Sequence, residues 1–189
     1  LTAFRTPDGL FMYNRMPMSL RTASAIFCRF IDAVLAGLKD DSVLTYIDDL
    51  LIATADFPRH AVLIDRVLGR LDGANLTLGA KKCLFAQLSA GFLGHIVSAE
   101  GVQPNPTKVA AVEAIELPQT EKEMEHALGM MGYYRKFILN YSTRSEPLRT
   151  KADWNRGGSK PQPYTDAETQ AFYSLRDALK TAPILSHPD

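Results

Sequence analysis

Val43-Leu44-Thr45-Tyr46-Ile47-Asp48-Asp49-Leu50-Leu51-Ile52-Ala53 is an apolar run with two adjacent carboxylates at its centre. The β-prone and aliphatic residues on either side have the length and composition of two short strands joined by a tight turn. That reading places Asp48 and Asp49 at or just past the tip. A hairpin with a purely structural role would carry Asn-Gly or Asp-Gly there, because primed turns need positive φ, and Ile47-Asp48 serves that need poorly. Unfavourable local chemistry inside a strong hydrophobic frame points to function.

The acidic pair also carries an electrostatic cost. Like charges roughly 4 Å apart repel by about 4 kcal/mol at an effective dielectric near 20, so something must separate them, protonate one or neutralise both. A divalent cation does the last, and hard oxygen ligands with no His or Cys beside them favour magnesium. An arbitrary Asp-Asp more often caps a turn in water. Here the flanking apolar strands and Tyr46 weigh toward the metal.

Tyr46-Ile47-Asp48-Asp49 resembles the YxDD box of reverse transcriptases. Thr2-Ala3-Phe4 with Thr6-Pro7-Asp8-Gly9, and Met16-Pro17 through Phe27, resemble the segments that precede this box in gypsy-type LTR retrotransposons. Phe92-Leu93-Gly94-His95, Gly132-Tyr133-Tyr134-Arg135-Lys136-Phe137-Ile138, and Ala182-Pro183-Ile184-Leu185 with Pro188-Asp189 follow in the same family order. The resemblance therefore covers essentially the whole chain.

Composition sets outer limits. The chain has 189 residues, of which 46% are hydrophobic, enough for one packed domain or two small ones. Cys28 and Cys83 have neither paired nor metal-ligand spacing, which suggests a reducing compartment. No apolar run long enough to span a bilayer and no signal-peptide pattern occurs, so the expectation is a soluble intracellular protein without a membrane partner, in the cytoplasm, nucleus or virus-like particles. A net charge of zero hides an asymmetry: residues 131–160 hold seven basic side chains against two acidic ones. Such a run is either a solvated face or a phosphate contact.

Taken in order, residues 1–15 read as an extended pair around Pro7-Asp8-Gly9. Ile26, Phe27, Phe30, Ile31, Val34, Leu35 and Leu38 form one face of a helix starting near Thr22. Pro58 opens a second helix that Gly73 closes. Two helices and a hairpin on one sheet make an α+β layer. Residues 76–103 suggest a β-hairpin with Leu84-Phe85 as one apolar stretch and Phe92 to Val97 as another. Asn105-Pro106 starts a helix, and Pro118 ends the segment. Thr120 with Glu123 and Thr165 with Glu168 are capping-box signatures. Gly129 and Gly132 inside the first of those helices imply close packing. Residues 152–163, with Trp154, Gly157, Gly158, Pro161 and Pro163, read as a flexible connection.

The resemblance implies a fold and a reaction. Residues 1–103 would be a partial polymerase palm, an antiparallel sheet with the carboxylate hairpin packed by two helices. Residues 104–151 would be a helical thumb, and 152–189 a connection leading toward an RNase H-like domain. The activity would be RNA-directed DNA polymerisation as part of a retrotransposon Pol polyprotein, by two-magnesium nucleotidyl transfer from dNTP to a primer 3′ hydroxyl. Asp48 and Asp49 would be catalytic and metal-binding. Tyr46, Met18 and Ser19 would lie at the nucleotide and primer terminus, although Met18 is somewhat more readily read as core packing. Phe92, Leu93, Gly94 and His95 would form the primer grip, while Lys81, Lys82, Arg135 and Lys136 would meet the nucleic-acid backbone. Partners would be an RNA or DNA template-primer, dNTP and the rest of the polyprotein.

Three positions depart from the family pattern: Ser19 stands where Gly is usual, Ser24 where Pro is usual, and Cys28 where Gln is common. The third catalytic Asp of the family belongs to a motif before the Thr-Ala-Phe block, so residues 1–189 alone are expected to have little polymerase activity. The alternative reading is a truncated or domesticated remnant that binds nucleic acid or a protein without catalysis. An unrelated carboxylate-pair phosphotransferase would leave the other blocks unexplained.

Overall fold

The computed structural model describes residues 2–39, 42–152 and 163–187. Its contacts divide the chain into two compact units, Leu1–Ala86 and Gln87–Asp189.

In the first unit, β1 (Phe4–Thr6) and β2 (Gly9–Phe11) pair antiparallel around the Pro7-Asp8 turn, with Thr6 opposite Gly9. Helix α1 (Ala23–Val34) follows, then strands β3 (Val43–Tyr46) and β4 (Asp49–Ile52), then α2 (Phe57–Gly73). The start of α2 is set locally: the Asp56 carboxylate accepts the Arg59 N–H at 2.8 Å and Pro58 occupies the first turn. Helical spacing then brings Leu63, Val67 and Leu71 onto one buried stripe. They pack with Ile31 of α1, with Leu35 and Leu38 just beyond it, and with Val43 of β3. Each such side chain contributes about 1.5–3 kcal/mol by leaving water.

In the second unit, β5 (Ser89–Phe92), β6 (His95–Ser98) and β7 (Gly101–Pro104) form an antiparallel meander. Four helices follow: α3 (Pro106–Glu113), α4 (Glu121–Tyr133), α5 (Tyr141–Ala152) and α6 (Asp166–Ala178). Met124 and Met131 of α4, Leu148 of α5, and Phe172 and Leu175 of α6 are fully buried together. The Thr165 box is complete, with the Glu168 N–H donating to Thr165 Oγ1 and the Thr165 N–H donating to Glu168 Oε2. After α6 the chain returns to the sheet, and Val102 and Leu185 exchange both backbone hydrogen bonds. Gly101 permits this, because a Cβ there would stand 2.2 Å from the Leu185 carbonyl oxygen. Among the described residues no helix is long and apolar enough to cross a membrane.

Several expectations need correction. The first unit does not share one sheet: among the described residues β1–β2 and β3–β4 are separate two-stranded ladders. The second sheet has three strands rather than a hairpin, and Leu84-Phe85 lies outside it, since Ala86 takes φ +52 and breaks the extended run. Helix α3 stops at Glu113, before Pro118. At the start of α4 the Thr120 side chain caps the Glu123 N–H, but Glu123 reaches back to the Gln119 N–H, so the box is only half formed. Gly132 does lie under the Tyr141 hydroxyl, whereas Gly129 faces open space. Much of the expected connection, Trp154, Gly157, Gly158 and Pro161 included, lies outside the described residues, as do Pro188 and Asp189.

Candidate functional site

The register of β3 and β4 decides where the acids go. Val43 opposes Ile52, Leu44 opposes Leu51, Thr45 opposes Leu50, and Tyr46 opposes Asp49. Side chains alternate between faces along a strand. Val43, Leu50 and Ile52 thus turn into the α1–α2 core, and Tyr46 and Asp49 stand side by side on the face that core leaves open. Both are exposed, as is Asp48 in the turn. Ile47 carries the positive φ, +54, that a two-residue hairpin demands. For a β-branched residue that conformation is strained, by about 1–2 kcal/mol. The frame imposes this conformation on the residue immediately before the acidic pair.

Two exposed carboxylates at a hairpin tip are hard, solvent-accessible oxygen donors. They suit a magnesium ion that draws its other ligands from phosphates and water. Among the described residues no group of three or more His, Cys, Asp or Glu gathers to complete a metal shell.

Met18 and Ser19 lie in the loop after β2, in the same unit. Met18 is 94% exposed, which overturns its reading as core packing. Ser19 takes φ +66, a left-handed conformation more natural to Gly than to Ser. Ser24 and Cys28 of α1 line one open cavity of about 540 Å³ with Tyr46 and Ile47. Lys81 and Lys82 sit exposed in a single 3₁₀ turn, Ala80–Lys82.

The remaining candidates belong to the second unit. Phe92 ends β5, Leu93 and Gly94 form the turn, and His95 begins β6. Arg135 and Lys136 are exposed in the 3₁₀ turn Arg135–Phe137, with the Lys136 ammonium 5.0 Å from the centre of the Phe137 ring. Of the basic run, Arg144 is tied down internally: its guanidinium donates to the Ser174 carbonyl and hydroxyl. Asp153, Arg156 and Lys160 lie outside the described residues.

His95 is packed among Tyr133, Tyr134 and Phe137, with ring centres 5.5–5.6 Å away. Its Nδ1–H donates to the Leu93 carbonyl at 2.8 Å, which fixes the tautomer, and its buried Nε2 meets no hydrogen-bond partner among the described residues. Burial lowers its pKa, the Leu93 hydrogen bond opposes that, and Lys136 adds to the lowering. Sequence reasoning placed Tyr133 and Tyr134 in the block Gly132 to Ile138 and missed their partners: their hydroxyls donate to the carbonyls of Leu93 and Gly94. Nothing local to either segment signals this pairing across about forty residues.

A family model described as reverse transcriptase (RNA-dependent DNA polymerase) matches residues 1–97. The retrovirus-related Pol polyprotein from transposon 297 of Drosophila melanogaster is 39% identical over 100% of this chain and 18% of its own length. The corresponding polyprotein from transposon opus of the same fly is 36% identical over 99% of this chain and 19% of its own length. The transposon Tf2-3 polyprotein of Schizosaccharomyces pombe is 34% identical over 99% of this chain and 14% of its own length. The chain thus spans less than a fifth of these relatives. The foamy viral protease-reverse transcriptase, solved in complex with an RNA/DNA hybrid, matches the whole chain with a TM-score of 0.85 at 22% identity, over 25% of its own chain. A form solved with double-stranded DNA gives 0.86 at 22%, over 32% of its own chain. At that identity the likeness is one of fold.

Proposed function

Because this chain belongs to the reverse transcriptase (RNA-dependent DNA polymerase) family, as a region similar to retrotransposon Pol polyproteins, we propose that it contributes the catalytic hairpin of a template-directed polymerase. Residues 1–103 are palm, 104–151 thumb and 152–189 connection. The observation that carries this reading is the tip of β3–β4: Asp48 and Asp49 exposed, Tyr46 beside Asp49, and Ile47 held at positive φ by a well-packed frame.

The reaction is nucleotidyl transfer, in which a primer 3′ hydroxyl attacks the α-phosphate of a dNTP and pyrophosphate leaves. Asp48 and Asp49 are the residues that would hold magnesium. When bound, the metal supplies activation of the attacking hydroxyl and charge stabilisation on the leaving phosphates. Tyr46 gives the primer terminus an aromatic surface next to the carboxylates. The Met18-Ser19 loop borders the incoming nucleotide, and residues 92–95 grip the primer. Lys81, Lys82, Arg135 and Lys136 are all exposed and neutralise backbone phosphates, which makes duplex affinity fall with salt. The duplexes held by the foamy viral proteins support this choice of partner.

The test is primer extension on a primed RNA template by a chain that carries residues 1–189 with flanking polyprotein sequence. Asp48→Asn and Asp49→Asn should each lower the rate by about 100-fold or more, since each removes a charge that would hold magnesium. Undiminished synthesis by the double variant would overturn the proposal. Residues 1–189 alone, in which no third carboxylate joins the pair among the described residues, should give no template-dependent product with magnesium or manganese. Ser19 at φ +66 favours a second reading, a nucleotide pocket weakened toward binding without catalysis. Ser19→Gly should then raise dNTP affinity, and an unchanged affinity would count against it.

A further inference from the structure

The turn between β5 and β6 is held in an unusual way. Leu93 and Gly94 both take positive φ, +46 and +73, the primed two-residue turn for which Asn-Gly is a preferred pair. Leucine in that conformation is strained. Four donors hold it there. The Leu93 carbonyl accepts the Tyr133 hydroxyl and, at 2.8 Å, the His95 Nδ1–H. The Gly94 carbonyl accepts the Tyr134 hydroxyl at 2.9 Å and the Asn105 N–H at 3.1 Å. Two of the four donors come from the C-terminal end of α4. The fit is close as well as polar: a Cβ on Gly94 would lie 3.1 Å from the Tyr134 oxygen and 3.3 Å from a Tyr133 ring carbon. The two phenol rings meet edge to face at 4.9 Å, with His95 and Phe137 packed against them.

We infer that Tyr133 and Tyr134 are positioning residues for the primer terminus, acting by locking the backbone of the Leu93-Gly94 turn through its two carbonyls. This rests on the reading of residues 92–95 as the primer grip. The phenols do not touch the reacting atoms. A turn with a strained leucine at its first position relaxes when an acceptor loses its donor, and whatever the turn supports moves with it. Displacement of a reactant by about 1 Å can cost up to roughly 100-fold in rate, so a partial release is expected to cost about tenfold. Tyr134 is also buried as a whole residue.

The experiment compares Tyr134→Phe, the Tyr133→Phe/Tyr134→Phe double variant and Tyr141→Phe in the chain with flanking polyprotein sequence. Tyr141 is the control: its hydroxyl donates to the Leu128 carbonyl at 3.2 Å, inside the same helical unit but away from the turn. Single-turnover extension at saturating dNTP, primer-template Kd and Tm are measured for each. Tyr134→Phe should slow extension about tenfold and the double variant about 100-fold. Their Kd should stay within about twofold of the unsubstituted chain, because phosphate contacts dominate duplex affinity. Tyr141→Phe should lower Tm to a similar extent and leave the rate unchanged. Wild-type extension by the double variant, or an equal loss of rate in Tyr141→Phe, would overturn the inference. Extension that survives Asp49→Asn would instead overturn the polymerase reading beneath it.

Discussion

Ile47 shows how one residue can report on a whole site. Its β-branched side chain belongs in a strand, yet the two-residue tip requires φ +54 of it. The packing of Val43, Leu50 and Ile52 enforces that conformation, and the strain sits next to Asp48. Ile47→Asn keeps the turn and removes the β-branch, so it should raise the free energy of unfolding by about 1 kcal/mol, read from denaturant midpoints at constant m. His95 makes a different prediction. Its folded-state pKa lies below the ordinary 6.5 because burial disfavours the imidazolium. The unfolded chain therefore binds more protons than the folded one just below that value. Stability from this ring is complete above about pH 6.5 and declines as the pH falls toward the lowered folded pKa. Tm measured from pH 7.5 to 5 should drop on the acid side, and His95→Phe should flatten that drop.

At the level of elements, short strands here are made useful by what binds their ends. The meander β5–β7 has only four residues per strand. It is braced at one turn by the α4 tyrosines and along β7 by the returning segment at Leu185. Gly101 is the hinge of the second brace, since its φ of +135 and the nearby Leu185 oxygen exclude a side chain. Gly101→Ala should cost about 3 kcal/mol, through backbone strain together with two lost hydrogen bonds. Amide exchange would check it: protection should vanish at Val102 and Leu185 while Phe172 in α6 stays protected relative to the variant's new global stability.

Among the described residues the buried apolar side chains fall into two clusters. One is built around Leu35 and Val67, the other around Phe172, Met124 and Leu148. Leu35→Ala and Phe172→Ala should each cost roughly 2–5 kcal/mol, and because the two clusters share no residue their effects should add to within about 0.5 kcal/mol in the double variant. Coupling larger than that, measured by chemical denaturation, would show the cores to be one. The sequence by itself determined what is encoded within a few neighbouring residues. That includes the Val43–Ala53 hairpin, the apolar stripes of α1 and α2, the Asn105 and Thr165 caps, and the order of blocks that marks the family. These are legible because strand alternation, helical period and cap geometry repeat along the chain. Only the tertiary structure decided which face of β3–β4 stays open and that Met18 lies exposed. It also decided that a Cβ on Gly129 would meet none of the described residues, and that two tyrosine hydroxyls close on a turn forty residues earlier. Satisfaction of a backbone carbonyl by a distant side chain leaves no periodic trace in sequence, because the carbonyl is common to every residue and the donor is chosen by the fold.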